Sequence, residues 1–410
     1  VINYAQTFIP IRMKRIGMVL DNPFSGDNRV INEARFLQKS GFEVFVLALN
    51  YGNHKELEVM DGISIQRIPI SEKLKNYLFA FNHLLPFHNL FWKKHVRNFV
   101  KQNKIEVIHA HDLYLCEPCA TIAKENKLPL VLDLHENYPA AILNYTWAKK
   151  FPGNLIAQPK RWKEKEQKLL STADRIIVLS ESYRDSLCAQ YRHLKPDNFC
   201  IYPNVPDHTA LLDFPIKKNP LPHPESNWLF YFGVITEKRG IYTAIDAVRH
   251  LQELGKDIRL LFAGNVNNAD VAEFQKAISD PLVQDFVLHL PWLDISEFPT
   301  YAKACVAGIS PIYKGEQHDI GIANKVFQYM LMALPVVVSD SKAQSNLILE
   351  NGCGLVFKSG DVIDLSKKID WLINNPSKSL EMGMKGKLAI ESHYNINTLG
   401  QNLVAMYKGL

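Results

Sequence analysis

The 410-residue chain contains no uninterrupted apolar run of about eighteen residues, the length a helix needs to cross a bilayer, so a membrane-spanning protein is not expected. Its opening stretch, Val1 to Met13, lacks the basic-then-apolar order of a secretory signal, which argues against export. Cysteine is scarce: the six thiols, Cys116, Cys119, Cys188, Cys200, Cys305 and Cys353, sit mostly among apolar neighbours and imply a reduced, cytoplasmic setting. Cys116 and Cys119 form one Cys-x-x-Cys with no second pair to complete a zinc site, in a stretch, Leu113 to Lys124, that reads as a helix. Two buried thiols are expected there. Also missing are a Gly-x-Gly-x-x-Gly after a strand, a phosphate loop ending in Gly-Lys-Ser/Thr, a His-Glu-x-x-His, a Gly-x-Ser-x-Gly and an Asp-x-Asp. These gaps weigh against dehydrogenases, P-loop kinases, zinc proteases and serine hydrolases, and neither a metal-ligand set nor a cofactor is read from the sequence.

What is present suits a large packed protein. Hydrophobic residues make up 47% and charged residues 22%, and at this length two domains are expected. Short β-branched runs alternate with stretches of helical period, the pattern of parallel sheets with helical crossovers. Strands are expected at Arg15 to Leu20, Glu43 to Leu49, Ile63 to Ile70, Glu106 to His109, Pro129 to Asp133 and Asp174 to Leu179, with a helix over Arg29 to Lys39. A connection with six prolines, Pro203 to Pro224, precedes a second alternation: Trp228 to Phe232, Asp257 to Ala263, Phe286 to Leu290, Val306 to Ser310, Pro335 to Ser339 and Gly354 to Phe357. The expected fold class is therefore α/β, with two doubly wound, Rossmann-like domains over 1–205 and 206–394 and a ligand cleft between them. A terminal helical stretch over 395–410 is expected to pack back on the first.

Charge is uneven. Residues 1–205 carry 28 Lys and Arg against 20 Asp and Glu, a net of +8, whereas residues 206–410 carry 19 against 22, a net of −3. Much of the excess lies in 73–104, where seven basic residues and no acid are interleaved with Tyr77, Phe79, Phe81, Phe87, Phe91, Trp92 and Phe99. Two readings stand side by side: helices with core-facing rings and a solvated basic face, or a peripheral contact with an anionic membrane at its inner face. No recognition motif points to nucleic acid.

Two segments carry chemistry. Asn324 is expected to cap a helix whose first-turn amides suit a phosphate, with Lys325 and Gln328 three residues apart on one face. Earlier, a strand ends in Phe232-Gly233, and the turn that follows brings Lys238 and Arg239 to another helix start. Together they read as a nucleoside diphosphate site.

The chain resembles a GT-B-fold retaining glycosyltransferase of family 4 (glycosyl transferases group 1) over nearly its whole length. The resemblance rests on Asp27-x-Arg29-Val30, Gly41-Phe-Glu-Val44, His109-Ala-His111-Asp112, Asp133-x-His135-Glu136, Asp174 to Ser180, Tyr202-Pro203-Asn204, Phe232-Gly233 through Arg239-Gly240, and Asn324 to Tyr329 with Pro335-Val-Val. It implies transfer of a sugar from a UDP- or GDP-linked donor to a glycan, lipid-linked or small-molecule hydroxyl, without a metal and with retention. Arg239, Lys325 and His111 would be catalytic. Gly233, Lys238, Asn324, Gln328, Tyr329 and Glu316 or Asp319 would hold the donor, and Asp27, Arg29, His135 and Glu136 the acceptor. The sequence departs from the family pattern in placing Ile320 and Gln328 where a pair of glutamates is usual, and Val234 where a cation is common. A glutamine accepts through one oxygen only. These departures keep open a weakened nucleotide- or glycan-binding subunit, and a sugar-nucleotide epimerase of related architecture is a third reading.

Overall fold

The computed structural model describes residues 14–410 apart from 81, 83, 84, 143, 144, 146, 147, 149–152 and 207. The expectations for Val1 to Met13 and for Phe81 lie outside the described residues. Contacts divide the chain into two compact units: Val1–Ile177 with His193–Cys200 and Asn402–Leu410, and Val178–Arg192 with Ile201–Gln401.

The first unit is built on an eight-stranded sheet: β1 (Arg15–Val19), β2 (Glu43–Asn50), β3 (Leu57–Met60), β4 (Ile63–Pro69), β5 (Val107–His111), β6 (Leu130–Leu134), β7 (Arg175–Val178) and β8 (Phe199–Ile201), in the order β3-β4-β2-β1-β5-β6-β7-β8. Parallel pairing joins β4, β2, β1, β5 and β6. β5 and β6 are buried along their whole length, as strands covered on both faces must be. Two strands were not legible beforehand. β3 runs antiparallel at the edge with its apolar residues outward, Leu57 at 73% and Val59 at 71% exposed, while Glu58 pairs with the buried Arg67 at 2.7 Å. β8 is only three residues long. Tyr407 fastens the chain's last segment into this unit: its hydroxyl meets His109 Nδ1 at 2.8 Å and its ring packs against Phe42.

The second unit carries a six-stranded, wholly parallel sheet of β9 (Asn227–Phe232), β10 (Ile258–Ala263), β11 (Val287–Leu290), β12 (Ala307–Ser310), β13 (Val336–Ser339) and β14 (Gly354–Phe357), ordered β11-β10-β9-β12-β13-β14. Leu229, Tyr231, Leu260 and Phe262 from its centre join Ile245, Val248 and Leu251 of helix Ile241–Glu253 in one core. In each sheet the order of growth reverses beside the first strand, between β1 and β5 and between β9 and β12. Loops at such switch points diverge and leave room for a ligand.

Among the described residues no helix is long and apolar enough to cross a membrane. Within 73–104, helices Glu72–Ala80 and Phe87–Asn103 divide the aromatic rings. Trp92 and Phe99 are buried, and Phe79 packs edge-on against Tyr114, whereas Tyr77 and Phe87 are exposed. Cys116 and Cys119 are buried free thiols on helix Leu113–Asn126, and burial pushes Cys116 up to about 12.

Candidate functional site

At the switch point of the first sheet, a buried charge relay forms from residues far apart in sequence. His111 and Asp133 stand in register at the ends of β5 and β6. Asp133 is fully buried and accepts two hydrogen bonds from Arg29, Nη2 to Oδ1 at 2.7 Å and Nε to Oδ2 at 3.0 Å. This two-pronged geometry suits a guanidinium and a carboxylate removed from water. Arg29 is delivered by helix Asn28–Lys39, whose start is capped by Asp27, accepting from the Val30 amide at 3.3 Å. His135 Nε2 lies 3.0 Å from Asp133 Oδ2 and 3.1 Å from His111 Nδ1.

Burial disfavours charge on His135, but Asp112 and Asp133 outweigh it and raise the imidazole to about 10, making it a cation at neutral pH. Burial likewise opposes charge on Asp133, yet Arg29 and His135 hold it well below the usual carboxylate range. Asp112 sits at φ 71°, where a non-glycine residue stores about 1–3 kcal/mol of strain, and shares the Tyr114 hydroxyl with Asp21.

The residues expected to meet an acceptor separate into two kinds. Asp27 and Arg29 are spent on the framework, one as a helix cap and the other locked in its pair with Asp133. His135 keeps a 20% exposed side chain, and Glu136 is approached by the Tyr145 hydroxyl. His111, expected against the sugar, is only 2% exposed and turns its Nδ1 to His135 and Asp133, so its influence runs through those groups. Sequence reading missed Asp21, Tyr114, Glu33 and a separate role for His109. Glu33 alone carried a signal, a carboxylate four residues after Arg29 on the buried stripe of a helix.

In the second unit the expected diphosphate residues converge. β9 ends at Phe232 and is followed by Gly233, whose φ of +114° suits glycine alone and lets the chain turn with its amide on Ala263 O at 2.8 Å. A Cβ placed there would lie 3.8 Å from Lys325 Cε and 3.9 Å from both Lys325 Nζ and Arg239 Nη1, so two cations flank the bare face of this glycine. Gly240 ends the short turn Glu237–Arg239 at φ +71°, in close contact with Pro311 O, and opens helix Ile241–Glu253.

Lys325 is 3% exposed, and its ammonium makes no hydrogen bond, resting 3.3 Å above the centre of the Tyr231 ring. Burial, with Arg239 beside it, drives its pKa well below the ordinary lysine value. Arg239 lies beside the Tyr231 hydroxyl, which donates to Val234 O at 2.7 Å, and among the described residues neither cation has a carboxylate partner. The desolvated Lys325 and the partly buried Arg239 thus face an open glycine, an arrangement with the charge and the room to accept an anion.

Other expectations need correction. Ala323, not Asn324, is the cap of helix Asn324–Leu331, because Asn324 already has its place in the first turn, with its side chain exposed. Tyr329 is fully buried: its hydroxyl accepts from the Phe232 amide at 2.8 Å beneath Gly308, so it fixes the turn and is out of reach of a ligand. Asp319 is occupied at the start of helix Lys342–Asn351, accepting from the Lys342 amide at 3.1 Å. Lys238 and Glu316 are exposed, and Gln328 is 9% exposed on the helix that carries Lys325.

Comparison with known proteins gives these features a family. Residues 27–209 match Glycosyltransferase Family 4 and residues 213–389 match Glycosyl transferases group 1. The chain is 23% identical over 406 residues to an uncharacterized glycosyltransferase of Haemophilus influenzae, covering 97% of this chain and 100% of that one. It is 20% identical over 186 residues to the capsular polysaccharide biosynthesis glycosyltransferase CapM of Staphylococcus aureus, covering 43% of this chain and 44% of the relative's length. Its fold is similar to sucrose-phosphate synthase of Thermosynechococcus elongatus, with TM-score 0.72, 14% identity and coverage of 97% and 98%. It is likewise similar to Anabaena HepE in complex with UDP, with TM-score 0.70, 13% identity and coverage of 97% and 100%. With a family 4 domain over its first half and a group 1 domain over its second, the chain belongs to the GT-B glycosyltransferases.

Proposed function

We propose that the protein transfers a sugar from a nucleotide-sugar to a hydroxyl of a glycan, lipid-linked or small-molecule acceptor, with retention and with cations of the chain in place of a metal at the diphosphate. The observation that carries this reading is the pair of the desolvated Lys325 and the partly buried Arg239, both without carboxylate partners among the described residues and convergent on Gly233. Departure of a nucleoside diphosphate develops negative charge on its phosphate oxygens. Two cations beside Gly233 and the first-turn backbone amides of helix Asn324–Leu331 stabilise that charge without reorganising as it forms. Gln328 takes a ribose hydroxyl through its single carbonyl oxygen. His135, charged and partly exposed, and Glu136 meet the acceptor, while Asp133 and His111 hold His135 in place.

The relatives guide the choice of donor and acceptor. HepE was solved with UDP-glucose, so UDP-linked hexoses are the first donors to test, followed by GDP-linked ones. CapM takes part in capsular polysaccharide biosynthesis, which recommends lipid-linked glycans as acceptors. A peripheral membrane contact through exposed Leu74, Tyr77, Leu85, Phe87 and Leu90, beside Lys73 and Lys94, fits such an acceptor.

The test is donor consumption in the presence of EDTA, with the anomeric product followed by NMR. Turnover unaffected by the chelator and a product of unchanged anomeric configuration support the proposal. Turnover by chelator-treated protein that depends on added magnesium or manganese removes the metal-free diphosphate site, and an inverted product removes retention. The second reading, a nucleotide-binding subunit, is favoured by Ile320, which is apolar and buried where the family places a carboxylate. Nucleotide binding without turnover of any donor would decide for it, whereas conversion of a donor with no acceptor present would indicate an epimerase.

A further inference from the structure

The relay of the first unit continues into a cluster in which Glu33 and His109 have no part in sugar transfer. His109 and His111 are two residues apart on β5 and so project from the same face of the sheet, their rings stacked with centroids 4.1 Å apart and planes 29° from parallel. Glu33 comes to them from helix Asn28–Lys39 and Asp133 from β6. One donor atom from each of the four residues lies within 4.8 Å of every other, and all four are buried. Both oxygens of Glu33, Nε2 of His109 and Nε2 of His111 are buried and make no hydrogen bond; Arg29 Nε approaches Glu33 Oε1 as an ion pair at 3.3 Å. Unpaired buried polar atoms are rare in folded proteins, and three of them, with a fourth met only by that ion pair, gathered in one place ask for a common partner.

We propose that Glu33, His109 and His111 bind one divalent transition metal of the zinc class inside the first unit, with Asp133 completing or steadying the site. The ring nitrogens are already sorted for this task. Each histidine commits its Nδ1 outward, His109 to the Tyr407 hydroxyl at 2.8 Å and His111 toward Asp133 Oδ2 at 3.4 Å, leaving both Nε2 atoms for the ion. An outer hydrogen bond on the second nitrogen is the usual way a ligating imidazole is oriented. Two imidazoles and a carboxylate favour zinc, cobalt or a similar ion over calcium or magnesium, whose sites are built from oxygen. Through Tyr407 and His109 the ion ties the end of the chain to β5 and the first helix, a stabilising role separate from the diphosphate pocket.

The experiment is metal analysis of the purified, fully reduced protein, followed by chelation and reloading with zinc or cobalt(II). Wild type is expected to hold one ion per chain, to show a visible cobalt spectrum of nitrogen and oxygen ligands, and to melt higher when loaded. Glu33→Gln and His109→Gln, checked for native folding by circular dichroism, are expected to lose at least tenfold in cobalt affinity, while a Cys116→Ser, Cys119→Ser double variant keeps the wild-type value. Wild type that stays metal-free and melts unchanged with excess zinc or cobalt overturns the proposal. So do a thiolate-to-cobalt band, loss of the ion in the cysteine variant, and unaltered binding in a folded Glu33→Gln protein.

Discussion

Lys325 is an ammonium held where water cannot reach it, with a tyrosine face and a second cation as neighbours. Such a group opposes folding and favours an anion, and its two tendencies separate experimentally. Lys325→Met, which keeps length and removes charge, is expected to raise the melting temperature of the unliganded protein and to weaken UDP or GDP binding by about 10–100-fold, the worth of a charge-assisted hydrogen bond of about 1.5–3 kcal/mol. Differential scanning fluorimetry and calorimetric titration read the two effects. The pKa gives a second prediction: burial and Arg239 depress the free lysine, whereas a bound diphosphate raises it. Between the free and bound values binding takes up a proton, so affinity falls as pH rises through that interval and is level below it. Titrations in buffers of different ionisation enthalpy will show uptake in wild type and none in Lys325→Met. Lys325 and Arg239 were legible as a pair because each follows a glycine- or asparagine-bearing turn at a helix start. The burial of Tyr329 and His111 was not, since a strip of sequence does not say which side of a helix or strand its neighbours cover.

The helices and strands themselves were largely readable, because long apolar runs such as Glu43 to Leu49 and Asp257 to Ala263 are buried on both faces and leave no competing period. β3 escaped because its apolar alternation faces outward and its inward residue is an acid matched to Arg67 from a neighbouring strand. The joints between elements carry much of the second site's precision. At Gly240 a left-handed residue lets the turn Glu237–Arg239 run straight into a helix while Pro311 O presses on the bare Cα. Gly240→Ala adds a methyl group that overlaps that carbonyl and also forces positive φ on an alanine. It is expected to cost at least about 2–3 kcal/mol in chemical denaturation and to displace Arg239, lowering nucleotide affinity as well. A variant as stable and as tight-binding as wild type would show that the turn is not under this constraint.

Taken over the full chain, the charge is divided: the family 4 half carries a net of +8 and the group 1 half a net of −3, although the second half is the one given an anionic substrate. On the proposed function, anion binding there would depend on the two cations beside Gly233 and not on a general field, and a membrane contact would draw on the excess positive charge of the first half. Flotation with vesicles containing anionic lipid is expected to carry wild type upward, less so at high salt, and to lose a variant with Tyr77, Phe87 and Leu90 changed to serine. Equal flotation with neutral vesicles would rule out the electrostatic part of this contact. The central test is calorimetric titration of UDP and GDP into wild type, Arg239→Ala and Lys325→Met under one buffer and salt condition. Saturable binding of at least one nucleotide by wild type, weakened at least tenfold in both variants, is the predicted result; no binding by the folded wild type, or equal affinity in all three proteins, would contradict it.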